Sequence, residues 1–223
     1  YNDAYDGVVD KGALIVNYTG HGAAFQLASE AMMTIPKVDA MTNYDKLSLY
    51  VTATCEVGRF EDPSLTSSII FSLLHNKKGG AIATITTTRP VYASSNFKIN
   101  KAFYENVFQR QDNGQYLTLG EVFMVTKNES LSGVNNRNFS LLGDPCLKFN
   151  LPSNKLVIKE MNDNEITYEA DTLKALMAVV FNGEVTDGLG NVLSDFNGTL
   201  EVSIYDKEVD RKTVGSVDSP YDY

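Results

Sequence analysis

The chain has 223 residues, 43% of them hydrophobic, which suits one medium domain plus a smaller unit and excludes a disordered chain. A net charge of -9 speaks against nucleic acid as a partner. No window reaches the roughly 18 apolar residues of a membrane helix.

From the N-terminus, Ala13–Asn17 is a short apolar run ahead of a Gly-rich turn and predicts a buried strand. Leu47–Thr54 (LSLYVTAT) is apolar and β-branched and predicts a central strand. Ser64–Leu74 carries a capping serine after Pro63 and apolar residues at helical spacing, so a helix is expected. Gly80–Thr87 (GAIATITT) predicts a third strand, Phe97–Phe108 a helix with one apolar face, and Leu119–Thr126 another helix. Strand–helix alternation implies an α/β fold with a parallel sheet and crossover helices. Residues 1–151 are assigned to this domain. At Pro152–Asn154 the texture changes to a linker. Beyond it, short β-rich runs at Leu156–Lys159, Ile166–Glu169, Lys174–Phe181 and Thr199–Tyr205 alternate with turn signals at Asp187–Gly188 and Asn197–Gly198. Residues 152–223 are therefore expected to form a β-sandwich of immunoglobulin-like type, short of the ~100 residues usual for one.

Two segments carry chemistry. Asn17-Tyr18-Thr19-Gly20-His21-Gly22 follows the first strand, and Thr52-Ala53-Thr54-Cys55-Glu56 ends the second. Adjacent parallel strands deliver their C-terminal ends to one edge of the sheet, where ligands of open α/β sheets bind. One crossover thus brings His21 and Cys55 together. A thiol is intrinsically nucleophilic, and an imidazole can take its proton or protonate a leaving amine. The N–H groups of Gly22 and Cys55 are candidate oxyanion donors. Either residue alone has a bland reading: a cysteine after a β-run is usually a small core residue, and Gly-His-Gly is often only a turn. Their pairing at consecutive strand ends raises the catalytic reading.

The strings NYTGHG, VTATCEVGRFEDP, GGAIATITTTRPVY and NFSLLGDP resemble the gingipain-type cysteine peptidases of family C25, clan CD, over about residues 10–150. Within that family they resemble most the sortase-like peptidases of the type IX secretion system of Bacteroidetes. The resemblance implies a caspase-like domain with His21 and Cys55 as catalytic dyad, followed by an immunoglobulin-like region. It implies a bacterial protein at the cell surface, outer membrane or secreted, that cleaves or transpeptidates secreted polypeptides and removes their C-terminal sorting signals. Other outer-membrane components of the secretion system are the partners it suggests. It requires no cofactor, although relatives can bind calcium, which leaves a structural calcium site open. No metal-binding pattern stands out here, because His21 and Cys55 are too few for zinc and no EF-hand-like loop appears.

The family's domain is much longer upstream of the GHG segment. The chain starts at Tyr1 without Met, and is read as an excised piece whose missing upstream part is an expected partner. The acidic residue that orients the histidine in relatives is expected in that part. Arg89 and Tyr92, after the third strand, are expected to line the pocket for the substrate residue before the scissile bond. The alternative is a solvated Arg and a packed Tyr. Glu56 is expected to point away from Cys55, since a carboxylate close by disfavours a thiolate. Arg59, Glu61 and Asp62 are expected to be solvated or locally paired, Asp144 to brace a turn, and His75 to favour a helix C-terminus. Two cysteines cannot form a disulfide framework. Cys146 stands where the family has a small residue, and is expected buried and unbridged. A non-catalytic binding module that kept the fold, and a thiol hydrolase of small amides, are the competing functions.

Overall fold

The computed structural model describes residues 2–64, 67–130, 132–166, 173, 176–203, 205, 212–214 and 220–222. Helix α1 (Asn2–Lys11) leads into β1 (Ile15–Thr19). A small antiparallel meander follows, β2 (Gly22–Ala23), β3 (Gln26–Leu27) and β4 (Met33–Thr34), and then α2 (Ile35–Asp39). Next come β5 (Ser48–Ala53), α3 (Ile69–His75), β6 (Ala81–Thr87), α4 (Ala93–Val107), α5 (Leu119–Ser130), α6 (Gly133–Asn138) and β7 (Phe139–Gly143).

Among the described residues the main sheet has the order β1-β5-β6-β7. β1, β5 and β6 are parallel, as the strand–helix alternation predicts, whereas β7 runs antiparallel to β6. No strand was expected there: the helices after β6 return the chain to the end of the sheet it left, so the last strand enters reversed. Every residue of β5 is buried, as a central strand covered on both faces must be. Tyr50 packs on one face with Val38, Ile69 and Leu73 from α2 and α3. Leu49 and Val51 pack on the other with Phe103, Val107, Leu119 and Val122 from α4 and α5. The period-2 alternation of β5 thus builds a three-layer sandwich.

Local sequence explains where α3 and α5 begin. In α5, Thr118 and Glu121 cap each other: the Thr118 N–H donates to Glu121 Oε2 at 2.8 Å, and the Glu121 N–H donates to Thr118 Oγ1 at 3.2 Å. In α4, Ile99, Ala102, Phe103 and Val107 form the buried stripe at helical spacing. The helix expected from Ser64 begins instead after Ser68, whose hydroxyl accepts the Phe71 N–H at 3.1 Å. Ser64 is used otherwise, donating through its N–H and hydroxyl to Asp62.

Beyond Pro152, β8 (Lys155–Met161), β9 (Asn164–Glu165) and β10 (Phe181–Thr186) form an antiparallel sheet of order β10-β8-β9. β11 (Lys212–Val214) and β12 (Pro220–Asp222) form a separate pair. β8 contains the expected run Leu156–Lys159. The run Lys174–Phe181 becomes a strand only from Phe181; residues 174–175 lie outside the described residues, as do 167–169 of the run at Ile166. Residues 199–203 carry no strand, and the turn expected at Asn197–Gly198 falls at 194–195. The Asp187–Gly188 turn is present, with Asp187 Oδ1 accepting the N–H groups of Leu189 and Asn191.

Candidate active site

In the β1–β5 ladder Thr19 lies opposite Ala53. His21 and Cys55 each follow two residues later, so both leave the C-terminal edge of the sheet side by side. The His21 segment is held through its backbone: the His21 carbonyl accepts the Tyr18 hydroxyl at 2.6 Å and the Ala28 N–H at 3.0 Å. Gly22 then pairs with Leu27 in the meander, and the Ala24 carbonyl accepts the Ile69 N–H at the start of α3. The meander is thereby pinned between the sheet edge and a helix of the covering layer.

The Cys55 segment is tied from three sides. Asn96 Nδ2 of α4 donates to the Ala53 carbonyl at 2.8 Å. The Thr87 hydroxyl donates to the Thr54 carbonyl. The Cys55 thiol, half-buried, donates to the Val91 carbonyl at 3.5 Å. Glu56 adopts φ +57°, a left-handed conformation that costs a non-glycine residue of order 1 kcal/mol and turns the chain sharply off the strand. Gly58 then donates to the Thr87 carbonyl at 2.8 Å, with no room for a Cβ against Thr86. The Glu56 carboxylate is engaged by Arg59 at 3.4 Å. Arg59 also pairs with Asp62 at 2.9 Å. Hydrogen bonds from Ser64, with the Arg59 charge adding, hold the Asp62 carboxyl below the usual carboxylate range.

The two segments meet at Gly22. A Cβ there would lie 2.6 Å from Thr54 Oγ1 and 2.8 Å from Val57 Cγ2. Arg89 and Tyr92 leave the same edge from the end of β6. Arg89 is ion-paired with Glu61, which bridges the loop after Cys55 to the loop after β6. Tyr92 is 75% exposed at the entry to α4. The loop between them is clamped from below, as Asn138 Nδ2 donates to the Pro90 carbonyl at 3.0 Å. An open cavity of about 180 Å³ is lined by His21, Gly22, Ala23, Gln26, Ala28 and Ser29. A larger one of about 380 Å³, beside α3 between Arg59, Phe71 and Leu142, borders neither His21 nor Cys55. Its size alone does not make it the site: Ser67, Ser68 and His75 line it, but it lies against α3, away from the strand ends that carry His21 and Cys55.

Cys146 corrects the sequence reading. It is free, as expected, but exposed rather than buried. Asp144 Oδ1 accepts the Cys146 N–H at 2.8 Å, an Asx turn that lifts the cysteine outward and leaves Leu147 to pack on the core. Sequence reasoning also passed over Asn96, Asn100 and Asn138, whose amides bond to the strand ends and loops of this edge. Their signal is present in the sequence, since asparagines inside an amphipathic helix are poor helix formers and need another purpose.

Comparison with known proteins agrees with this architecture. The family model described as peptidase family C25 matches residues 2–150. A solved structure described as the Arg specific cysteine proteinase gingipain R is similar with a TM-score of 0.56 and 21% identity, over 70% of this chain and 38% of that one. The complex of Porphyromonas gingivalis RgpB pro- and mature domains gives 0.57 and 20% over the same shares. A third, described only as a protease, gives 0.55 and 16% over 67% of this chain and 42% of the other. The chain thus spans about two-fifths of the length of these structures. A search of curated protein sequences returned no match. The match over most of the α/β region and the shared fold lead to one assignment: the chain belongs to peptidase family C25.

Proposed function

We propose that this chain carries the catalytic dyad of a cysteine endopeptidase or transpeptidase, with Cys55 as nucleophile and His21 as its proton-transfer partner. The carrying observation is the in-register pairing of Thr19 with Ala53, which sends both residues off one sheet edge. The Cys55 sulfur attacks the scissile carbonyl carbon, and the developing oxyanion is met by the N–H groups of Gly22 and Cys55. As the C–N bond breaks, His21 delivers a proton to the leaving amine. The thioester that remains is resolved by water or by an incoming amine. Arg89 and Tyr92 form part of the wall that meets the substrate residue before the scissile bond.

The substrates proposed are secreted polypeptides at the bacterial outer surface, from which C-terminal sorting signals are removed during type IX secretion. Outer-membrane components of that system are the proposed partners. Residues 152–223 are read as an immunoglobulin-like region following the peptidase domain. β1 pairs on one side only among the described residues. Its outer side is where the further strands of a domain as long as the gingipain R chain would add.

The test is labelling of the intact protein, with the exposed Cys146 replaced by serine, by a thiol-directed acyl electrophile, read by mass. One adduct on Cys55 that disappears in His21→Ala is expected, together with loss of peptide cleavage in Cys55→Ala. Retained cleavage in Cys55→Ala overturns the assignment. For the sorting role, a secreted protein bearing its C-terminal signal should accumulate uncut in cells carrying Cys55→Ala; normal processing there overturns that part alone.

A further inference from the structure

Helix α4 touches both strand ends that carry the proposed dyad. Asn96 Nδ2 donates to the carbonyl of Ala53, two residues before Cys55, at 2.8 Å. One turn later, Asn100 Nδ2 donates to the hydroxyl of Thr19, two residues before His21, at 2.8 Å. Asn100 Oδ1 accepts from Asn17 Nδ2 at 3.1 Å, so the same amide holds β1 at two points. Residues four apart lie on one helix face, about 5–6 Å from each other, close to the 4.7–4.9 Å between neighbouring strands. The pair Asn96/Asn100 therefore spans the pair Ala53/Thr19, which lie opposite each other in the ladder.

We infer that Asn96 and Asn100 are positioning residues that set the separation of His21 and Cys55, with α4 as the rigid gauge between them. This rests on the reading of those two residues as a dyad. The need for it follows from topology. β1 has one neighbouring strand among the described residues, and Thr19 is its last residue. The end of this edge strand has a ladder on one side only, and His21 beyond it is held on its far side by the meander. Asn100 gives that end a second tether. Asn96, 5% exposed, adds a side-chain tether to the end of the central strand β5 through Nδ2, while its Oδ1 has no partner. α4 is itself fixed by Ile99 and Phe103 in the core; nearer its C-terminus Asn106 Nδ2 makes an exposed bond of 2.7 Å to Glu129 Oε2 of α5.

The donor and acceptor chemistry makes the test specific. Thr19 can reverse its hydroxyl and donate to a carboxylate, and Asn17 Nδ2 already donates, so Asn100→Asp keeps both bonds and Asn100→Leu keeps neither. A dyad displaced by about 1 Å loses on the order of 10²-fold in turnover. The experiment uses the intact protein and a fluorogenic peptidyl amide selected on the unaltered enzyme from a library varied at the residue before the scissile bond. Asn100→Leu is expected to lower kcat about 10²-fold with KM within about twofold, while Asn100→Asp stays near the parent. Thr19→Val, isosteric and on the surface, should lower kcat in the same direction and serves if Asn100→Leu does not fold. Asn106→Leu removes the bond from the same helix to α5 and should keep the parent kcat even where its Tm falls. Parent-like kcat in Asn100→Leu or Thr19→Val, or an equal fall in Asn106→Leu, overturns the inference. Turnover surviving Cys55→Ala in the same series would instead overturn the dyad.

Discussion

Gly22 and Thr54 are in contact across the sheet edge: the Cα of Gly22 lies so close to the Thr54 side chain that a Cβ would stand 2.6 Å from Oγ1 and 2.8 Å from Cγ2. The turn bearing His21 and the strand end bearing Cys55 therefore meet with no atom to spare. Gly22→Ala must push the two segments apart. The expected result is a loss of about 1–3 kcal/mol in stability, typical of overpacking, and a fall in peptide cleavage of about 10²-fold. Adding Thr54→Ala removes two of the three clashing atoms and should recover part of both losses. Denaturant melts and cleavage rates of the single and double variants measure this. Parent-like activity in Gly22→Ala alone would show that the contact does not govern the site.

A tyrosine pair, one member half-buried and the other buried, gives the fold a pH limit. The hydroxyls of Tyr5 on α1 and Tyr50 on β5 are 2.8 Å apart. Burial, with the neighbouring phenol adding, pushes Tyr5 far above the ordinary tyrosine value of about 10; burial pushes Tyr50 up as well. Above pH ~10 the unfolded chain releases these protons while the folded chain keeps them. Stability from this pair is thus full below about pH 10 and falls as pH rises past it, by up to about 1.4 kcal/mol per pH unit for each group. Urea melts from pH 8 to 11 should show a shallower alkaline decline in Tyr5→Phe than in the parent. They should also show a loss of about 1–3 kcal/mol at neutral pH, where the Tyr50 hydroxyl is left without its partner. Identical alkaline slopes would remove the pair from the account.

Arg110 ties the C-terminal region to the sandwich. Its guanidinium donates to the carbonyls of Gly114 and Pro152 and stacks over the Tyr116 ring at 4.8 Å. Hydrogen bonds from a charged donor contribute about 1.5–3 kcal/mol. Arg110→Ala should therefore speed proteolytic cutting at 152–154 about tenfold or more, since cleavage tracks the open population, with the main melting transition little changed. Unchanged cutting would mean that the linker is held by other contacts.

Cys146 is exposed, so its thiol should be alkylated alongside Cys55 under native conditions. Iodoacetamide followed by intact-mass measurement should add two carbamidomethyl groups to the parent and one to Cys146→Ser. Stability should change by no more than about 0.5 kcal/mol in that variant, as for other surface substitutions. A single adduct on the parent would return Cys146 to the interior.

The chain by itself determined the strands that build the site. Ser48–Ala53, fully buried, and Ala81–Thr87, buried except at Ile82, were legible because buried strands need continuous apolar and β-branched runs, and few other environments do. Cys55 stands just past the first of these runs and His21 just past the shorter, half-exposed edge strand Ile15–Thr19, and parallel strands share their C-terminal edge. The β7 direction, the helix start at Ser68 and the exposure of Cys146 were decided only by the tertiary structure. Each depends on which of several equivalent local choices packing selects: Ser64 and Ser68 can both cap, and an apolar flank around Cys146 buries Leu147 instead. The asparagines of α4 belong with these. Their helical spacing is written in the sequence, but the carbonyl of Ala53 and the hydroxyl of Thr19 are distant along the chain, and only the folded sheet brings an acceptor to each amide.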